Sequence, residues 1–309
     1  MIRARKLRDL TIDAPRGEGG GRWVSAASGL VRTGRHIYVA ADDERELAVF
    51  PATGDAPGRL VRFLPGELPA DPEERKRRKP DVEALALLPP APGTPSGALF
   101  ALESGSEENR RGAVFWALGE TGALEGEPRR VDVSRLYAAL ASDIPDLNIE
   151  GATVRGDQLL LFQRGNGPAA VNAVISLEMP SVSASIRAGG VEPDAVAGIR
   201  RHDLGESEGV RLCFSDATGL EDGRVLFTAV AESGDNTYHD GACAGAAVGV
   251  LDAGGGIAWM LPLDPPAKVE GIEAHPAGDR IEVLLVADPD DPGTAAPLLQ
   301  AGLPCGRRL

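Results

Sequence analysis

A phrase that recurs along the chain constrains its fold more than any single motif. "KPDVEALAL" (79–87), "DLNIEGATV" (146–154) and "AKVEGIEAH" (267–275) each set an acid against a small residue at the head of an apolar run. Extending the alignment gives five units at intervals of about 50 to 70 residues, with Ser28, Glu83, Glu150, Thr218 and Glu270 at the acid position. Each unit repeats one supersecondary element that cannot bury its apolar face alone, so the units must pack on one another.

The order within a unit is constant. The small-residue strand leads into a turn ("RTGR", "PPAPGTPSG", "RGD", "EDGR" or "PAGD") and then a strongly apolar strand: Ile37–Ala40, Leu99–Leu102, Leu159–Phe162, Val225–Val230 or Ile281–Val286. A long polar loop precedes a third strand, such as Ala113–Ala117 or Asn172–Leu177. A fourth, amphipathic strand is expected over Arg59–Leu64, Arg129–Val133, Gly198–Leu204 and Gly256–Leu261. Four-stranded units repeated radially make an all-β fold, a single β-propeller over residues 1–309, with five blades the preferred count. Six blades follow if Ser181–Leu204 holds a degenerate unit, and an open β-sandwich fits the same strand pattern. The fifth unit is one strand short. The N-terminal "KLRDLTID" is expected to supply it, closing the ring and covering an edge. Between units, "PADPEERKRRK" (69–79) reads as a short capped helix or a basic linker, and "SRLYAALAS" (134–142) spaces Leu136, Tyr137 and Leu140 as a helix does.

Composition narrows the partners. With 39 Gly, 24 Pro and only 4% aromatic residues, the chain is punctuated for many short strands. Acidic residues outnumber basic ones, 46 to 32, so nucleic acid and anionic membrane are not expected partners. No apolar run is long enough to span a bilayer, and the basic start, "MIRARKLRDLTID", leads into no apolar signal segment, so the cytoplasm is the expected compartment. Cys213, Cys243 and Cys305 are scattered, forming neither a metal knuckle nor a disulfide framework, as suits a reducing compartment. No organic cofactor is expected.

Strand direction collects the chemistry. In a propeller the acids at the start of the innermost strands share a face with the loops between second and third strands: "DDERE", "ESGSEENRRG", "QRGNGPAAV", "ESGDNTYHDGACAG" and "DPDDPGTAA". Asp81, Asp146 and Asp216 stand a few residues ahead of Glu83, Glu150 and Thr218, and period-two alternation turns such neighbours to one side. Asp288 joins them from the last loop. Crowded carboxylates suit a hard divalent cation, Ca²⁺ or Mg²⁺, held through oxygen. The alternative is that the acids pair with Arg164, Lys79, Lys268 and backbone amides. Arg110, Arg111 and Arg164, with Asn109 and Asn166 beside them, suit a phosphate or carboxylate ligand, or else neutralise adjacent acids. His239 in "YHD" adjoins Asp240, but Ser104, Ser106 and Ser233 lack the elbow of a serine nucleophile. "DPDDP" (288–292) lacks the spacing of an EF-hand and reads as a solvated acidic turn.

The units "DVEAL", "NIEGA" and "KVEGI", with "ESGSEENRRG" and "QRGN", resemble the phytase-like propellers, the esterase-like activity of phytase family, and are most similar to a bacterial branch of that group. The resemblance implies an acidic, metal-binding face and phosphoester hydrolysis, with Glu83, Glu150 and Glu270 as central acids and Arg110 and Arg164 facing the ligand. Ser28 and Thr218 depart from that pattern. The resulting expectation is a soluble propeller that binds a small polar or anionic molecule and, if an enzyme, hydrolyses a phosphoester or ester with a divalent metal. The alternative is a non-catalytic propeller that binds a ligand or a protein partner.

Overall fold

The computed structural model describes residues 1–16, 21–69, 71–233 and 242–304. Its strands form a five-bladed propeller. Blade one is Ala27–Thr33, His36–Ala41, Glu46–Pro51 and Arg59–Arg62, and blade two is Val82–Leu88, Ala98–Glu103, Gly112–Ala117 and Arg129–Asp132. Blade three is Ile149–Arg155, Gln158–Gln163, Asn172–Glu178 and Val196–His202. Cys213–Gly219, Val225–Ser233, Ala242–Leu251 and Ile257–Asp264 make blade four, and Val269–Ala277, Arg280–Ala287 and Pro297–Pro304 begin blade five. The five inner strands touch in chain order, and the fifth returns to the first.

The missing strand of blade five comes from the N-terminus, as the strand count required. Arg5–Asp9 runs antiparallel to Pro297–Pro304, with Lys6 opposite Leu299. The two residues before it, Ile2–Arg3, pair in parallel with the outer strand of blade four, Ile2 opposite Leu263. One short segment therefore covers the edges of two blades. The six-blade alternative fails, because the stretch that was to hold a degenerate unit is a helix, Met179–Ala188, a turn of 3-10 helix, Pro193–Ala195, and the outer strand of blade three. The helix Pro72–Arg78 is capped by Asp71, whose carboxylate accepts from Glu74 N, and Ser134–Asp143 buries Leu136, Tyr137 and Leu140.

Apolar packing sits between blades rather than in one central core. Leu10, Leu30 and Phe50 meet Leu284 and Leu298 where blade five joins blade one. Phe162, Phe214 and Phe227 stack edge to face, with centroids 5.2 and 5.1 Å apart, where blade three joins blade four. Each fully buried side chain of this size contributes about 1.5–3 kcal/mol, so every blade is held by its neighbours.

A bulge in each inner strand explains the recurring phrase. Pairing skips one residue between Ala27 and Gly29, Val82 and Ala84, Ile149 and Gly151, Phe214 and Asp216, and Val269 and Gly271. The unpaired residues are Ser28, Glu83, Glu150, Ser215 and Glu270. The blade-four position thus belongs to Ser215, and the assignment of Thr218 is corrected. Thr218 lies three residues further down the strand, paired with Leu226. The small residue after the bulge is needed for ring contact. A Cβ on Gly151 would stand 2.8 Å from Asp216 Cα, and one on Gly271 would stand 2.9 Å from Leu30 Cβ.

Candidate functional site

A bulge adds a residue that the ladder does not pair and re-aims its side chain. Glu83, Glu150 and Glu270 are turned in this way at the same end of three inner strands, where the second strands also finish. Two connected clusters result.

The first is centred on Arg164, at the end of the second strand of blade three. Its Nη1 reaches Glu150 Oε2 at 3.1 Å and Glu270 Oε1 at 3.7 Å, while Nη2 reaches Glu232 Oε1 at 2.6 Å. One guanidinium, only 5% exposed, thereby joins acids from blades three, four and five. Asn148 Nδ2 donates to the other oxygen of Glu150 at 2.6 Å. Lys268 lies 3.4 Å from Glu270, 3.6 Å from Asp288 and 2.6 Å from Asp290. Burial pushes the carboxyls of Glu150 and Glu270 up, Glu270 well above the usual range, although Arg164 and Lys268 pull them back. Asp288 rises to about 7, chiefly through burial.

The second cluster lies between blades one and two. Lys79 Nζ binds Asp42 Oδ2 and stands 2.8 Å from Asp81 Oδ1. Asp81 also accepts from Ser104 Oγ at 2.6 Å and Arg110 Nη1 at 2.9 Å. Burial works against its charge, but Lys79 and Arg110 hold its pKa below the ordinary value. Its backbone is left-handed, at φ 57°, a conformation aspartate tolerates better than most residues. Glu83 completes the group: its carboxylate and those of Asp42 and Asp81 offer oxygens within 4.8 Å of one another. Among the described residues nothing donates a hydrogen bond to Glu83 and no cation pairs with it directly. Burial, then the charges of Glu150, Asp42 and Asp81, drive its pKa well above the usual carboxylate range. Three hard oxygen donors so placed match the ligand chemistry of Ca²⁺ or Mg²⁺, although Lys79 already spans two of them.

Other candidates lie elsewhere. Asp216 is buried between inner strands, its Oδ2 accepting from Ile272 N at 2.8 Å, so it ties blade four to blade five and does not face the mouth. Asp146 is exposed, and its Oδ2 caps Ala169 N at 3.0 Å in the 164–171 loop. Asn109 is exposed and reaches Arg77 O at 3.3 Å, steadying the neighbouring helix. Asn166 Oδ1 accepts weakly from Asn148 at 3.4 Å, at the rim of the first cluster. Arg111 is half-buried with its Nε unpartnered, and its side chain joins neither cluster. His239 falls outside the described residues. Asp291 caps its own turn through Gly293 N and Thr294, as a solvated acidic turn does.

Two participants escaped the sequence reading. Asn148 stands two residues before Glu150, the offset of Asp81 from Glu83 and of Lys268 from Glu270, which was the available signal. Glu232 lies where blade four's second strand runs past its inner strand, opposite Cys243 of the third strand after a register shift, which no local pattern announces.

Comparison with known proteins adds the family. No curated protein matches the chain. Glutaminyl cyclase of Myxococcus xanthus is similar in structure at TM-score 0.48 and 14% identity, covering 97% of each chain. A mannose phosphorylase from Leishmania mexicana, in complex with phosphate ion, gives TM-score 0.46 and 14% identity over 97% of this chain and 89% of its own. A hypothetical protein from Leishmania major gives 0.47 and 14% over 97% and 90%. The propeller implied by the phytase-like resemblance is present, whereas the family that matches is another. Over residues 23–303 the chain matches, and therefore belongs to, the Family of unknown function (DUF6929).

Proposed function

We propose that the mouth formed by the inner-strand bulges binds a divalent cation together with a small polar or anionic molecule, and that the chemistry it serves is hydrolysis of an ester or phosphoester. The observation that carries this reading is Glu83, a carboxylate without a hydrogen-bond or ion-pair partner among the described residues, beside Asp42 and Asp81. Asp42, Asp81 and Glu83 are the residues that would hold the ion, which when bound supplies Lewis-acid polarisation. A raised carboxyl pKa suits acid–base work, and a carboxylate of the mouth that the ion leaves unligated, Glu150 or Glu270, would take a proton from an attacking water. Lys79 and Arg110 border the cluster and would offset charge on an anionic ligand. The phytase-like resemblance of "DVEAL" and "ESGSEENRRG" points to the same ester chemistry. The test is turnover of p-nitrophenyl acetate and p-nitrophenyl phosphate with added Ca²⁺, Mg²⁺ or Mn²⁺. The reading expects Glu83→Gln, which removes one of the three residues that would hold the ion, to lower turnover by about 10-fold or more, as the loss of a charged contact does. Equal rates in the two proteins would overturn it.

A second reading has its own support. Lys79, Arg164 and Lys268 each bridge more than one acid, which makes much of the mouth a self-neutralised network. On that reading the face is a non-catalytic platform, and added metal would neither bind nor shift stability.

A further inference from the structure

We propose that the flank between blades two and three is a binding site for a small organic acid, an apolar body that carries one carboxylate. The site lies toward the turn-bearing face, away from the acidic mouth. Two insertions build it. Blade two has the long turn between its first and second strands (89–97), and blade three interposes Met179–Ala188 between its third and fourth strands. The two segments are far apart in sequence and meet over the outer strands of blade two, enclosing a cavity of about 320 Å³.

The lining is apolar at the base and cationic at the rim. Leu88 and Ile186 are buried, at 5% and 3% exposure, and Phe115 packs half-buried beside them. The Arg129 guanidinium carbon sits 4.8 Å from the centroid of the Phe115 ring. Stacking fixes a guanidinium while leaving its in-plane N–H groups free to donate. Arg187, in the last turn of the helix, lines the same cavity. Among the described residues neither arginine makes an ion pair or a hydrogen bond, and no carboxylate lines the cavity. Their neighbours do otherwise: Arg130 pairs with Glu103 at 2.6 Å and Arg135 with Glu192 at 3.1 Å. Two unpaired arginines over an apolar floor are unexpected in a chain of formal charge −14.

Charge complementarity and size select the occupant. The volume lies at the small end of the range for ligand pockets, about 300–1,000 Å³. Arginine forks favour a carboxylate or a phosphate. The apolar base favours a carboxylate on a hydrocarbon body, because a phosphate dianion gains nothing from the floor and loses more hydration. Aryl and medium-chain alkyl acids meet both conditions.

The experiment is calorimetric titration of the full chain with 4-phenylbutyrate and with octanoate, against 4-phenylbutyramide and inorganic phosphate. At least one of the two acids is expected to bind saturably. The amide and phosphate should each bind about tenfold more weakly or not at all, the loss of one charge-assisted contact being worth roughly that factor. Arg129→Gln and Arg187→Gln, both at exposed positions and so compatible with folding, should each weaken the acid by a similar factor. Ser183→Trp, at the cavity wall, should block it while leaving the melting curve intact. Failure of both acids to bind at concentrations of about 10 mM, affinities weaker than a few millimolar corresponding to only about 3–4 kcal/mol, would overturn the proposal. So would equal binding of acid and amide, or undiminished binding in both arginine variants.

Discussion

Arg164 gathers Glu150, Glu232 and Glu270 from three blades, and most of the electrostatic balance at the mouth passes through it. Replacing it with methionine keeps much of its length but leaves three acids facing one another. Breaking a buried pair in this way costs about 3–5 kcal/mol, and urea unfolding of Arg164→Met at pH 7.5 should show a loss of that order. Part of the loss should return as pH is lowered, because burial already raises the carboxyls of Glu150 and Glu270 and favours their protonation. Glu83 should behave in the opposite sense. Because no hydrogen bond or ion pair among the described residues satisfies its charge, Glu83→Gln should unfold at the same or a higher urea concentration than the wild type at pH 7.5. Glu273 offers a cleaner titration: burial raises its pKa to about 7, with Arg32 N donating to it at 3.3 Å and Ala274 N at 3.2 Å. A carboxyl whose folded pKa is raised favours the folded state fully below its unfolded value, near 4.5, and loses that contribution as pH rises through about 7. Glu273→Gln should therefore gain on the wild type between those values, by at most about 3 kcal/mol, in melts run from pH 4 to pH 8.

At the scale of elements, the inner-strand bulge is the device that makes both the ring and the mouth. It turns Glu83, Glu150 and Glu270 toward the axis and sets a small residue where the next inner strand approaches. Gly151→Ala would drive a Cβ to 2.8 Å from Asp216 Cα, and the backbone must yield. A destabilisation of about 1–3 kcal/mol in chemical denaturation is expected, as for other overpacked sites. The same device shows where the sequence could be read and where it could not. The wording acid-Gly/Ala-apolar was visible because three blades use it with the same residue types. In blade four, Ser215 fills the bulge and Asp216 takes the place of the glycine, so "SDATG" offered no acid in register, and Thr218 stood in for it. Alternation by two cannot locate a bulge, because the unpaired residue shifts every later side chain to the other face. Asp216 was mistaken for a mouth residue for that reason, and it instead accepts from Ile272 N across the blade boundary.

For the molecule as a whole, blade number and closure were legible because they depend on counting. Four strands per unit and one missing from the last required a strand from the other end, and Arg5–Asp9 supplies it. Removing residues 1–9 should leave the edge of Pro297–Pro304 unpaired and strip Ile2 from blade four. Early elution on size exclusion and a lower melting temperature are the expected results. That Arg164, Lys79 and Lys268 would pair with the acids was legible, but which acids from which blades each one joins was not, since that depends on how blades face one another. Glu232, Arg164 and Lys268 come from three blades and meet only after the ring closes. The groove at Arg129 and Arg187 is hidden in the same way, being built from insertions that look like an ordinary turn and an irregular linker.

Asp42, Asp81 and Glu83 would form a cation site even though Lys79 already pairs with the first two. Calorimetric titration of the full chain with Ca²⁺ and with Mn²⁺ at pH 7.5 tests it directly, with Glu83→Gln as the partner experiment. One saturable equivalent in the wild type, weakened about tenfold or more in Glu83→Gln, is the predicted result, a charged ligand contact being worth at least that factor. Absence of binding to the wild type, or affinity unchanged by the substitution, would contradict it.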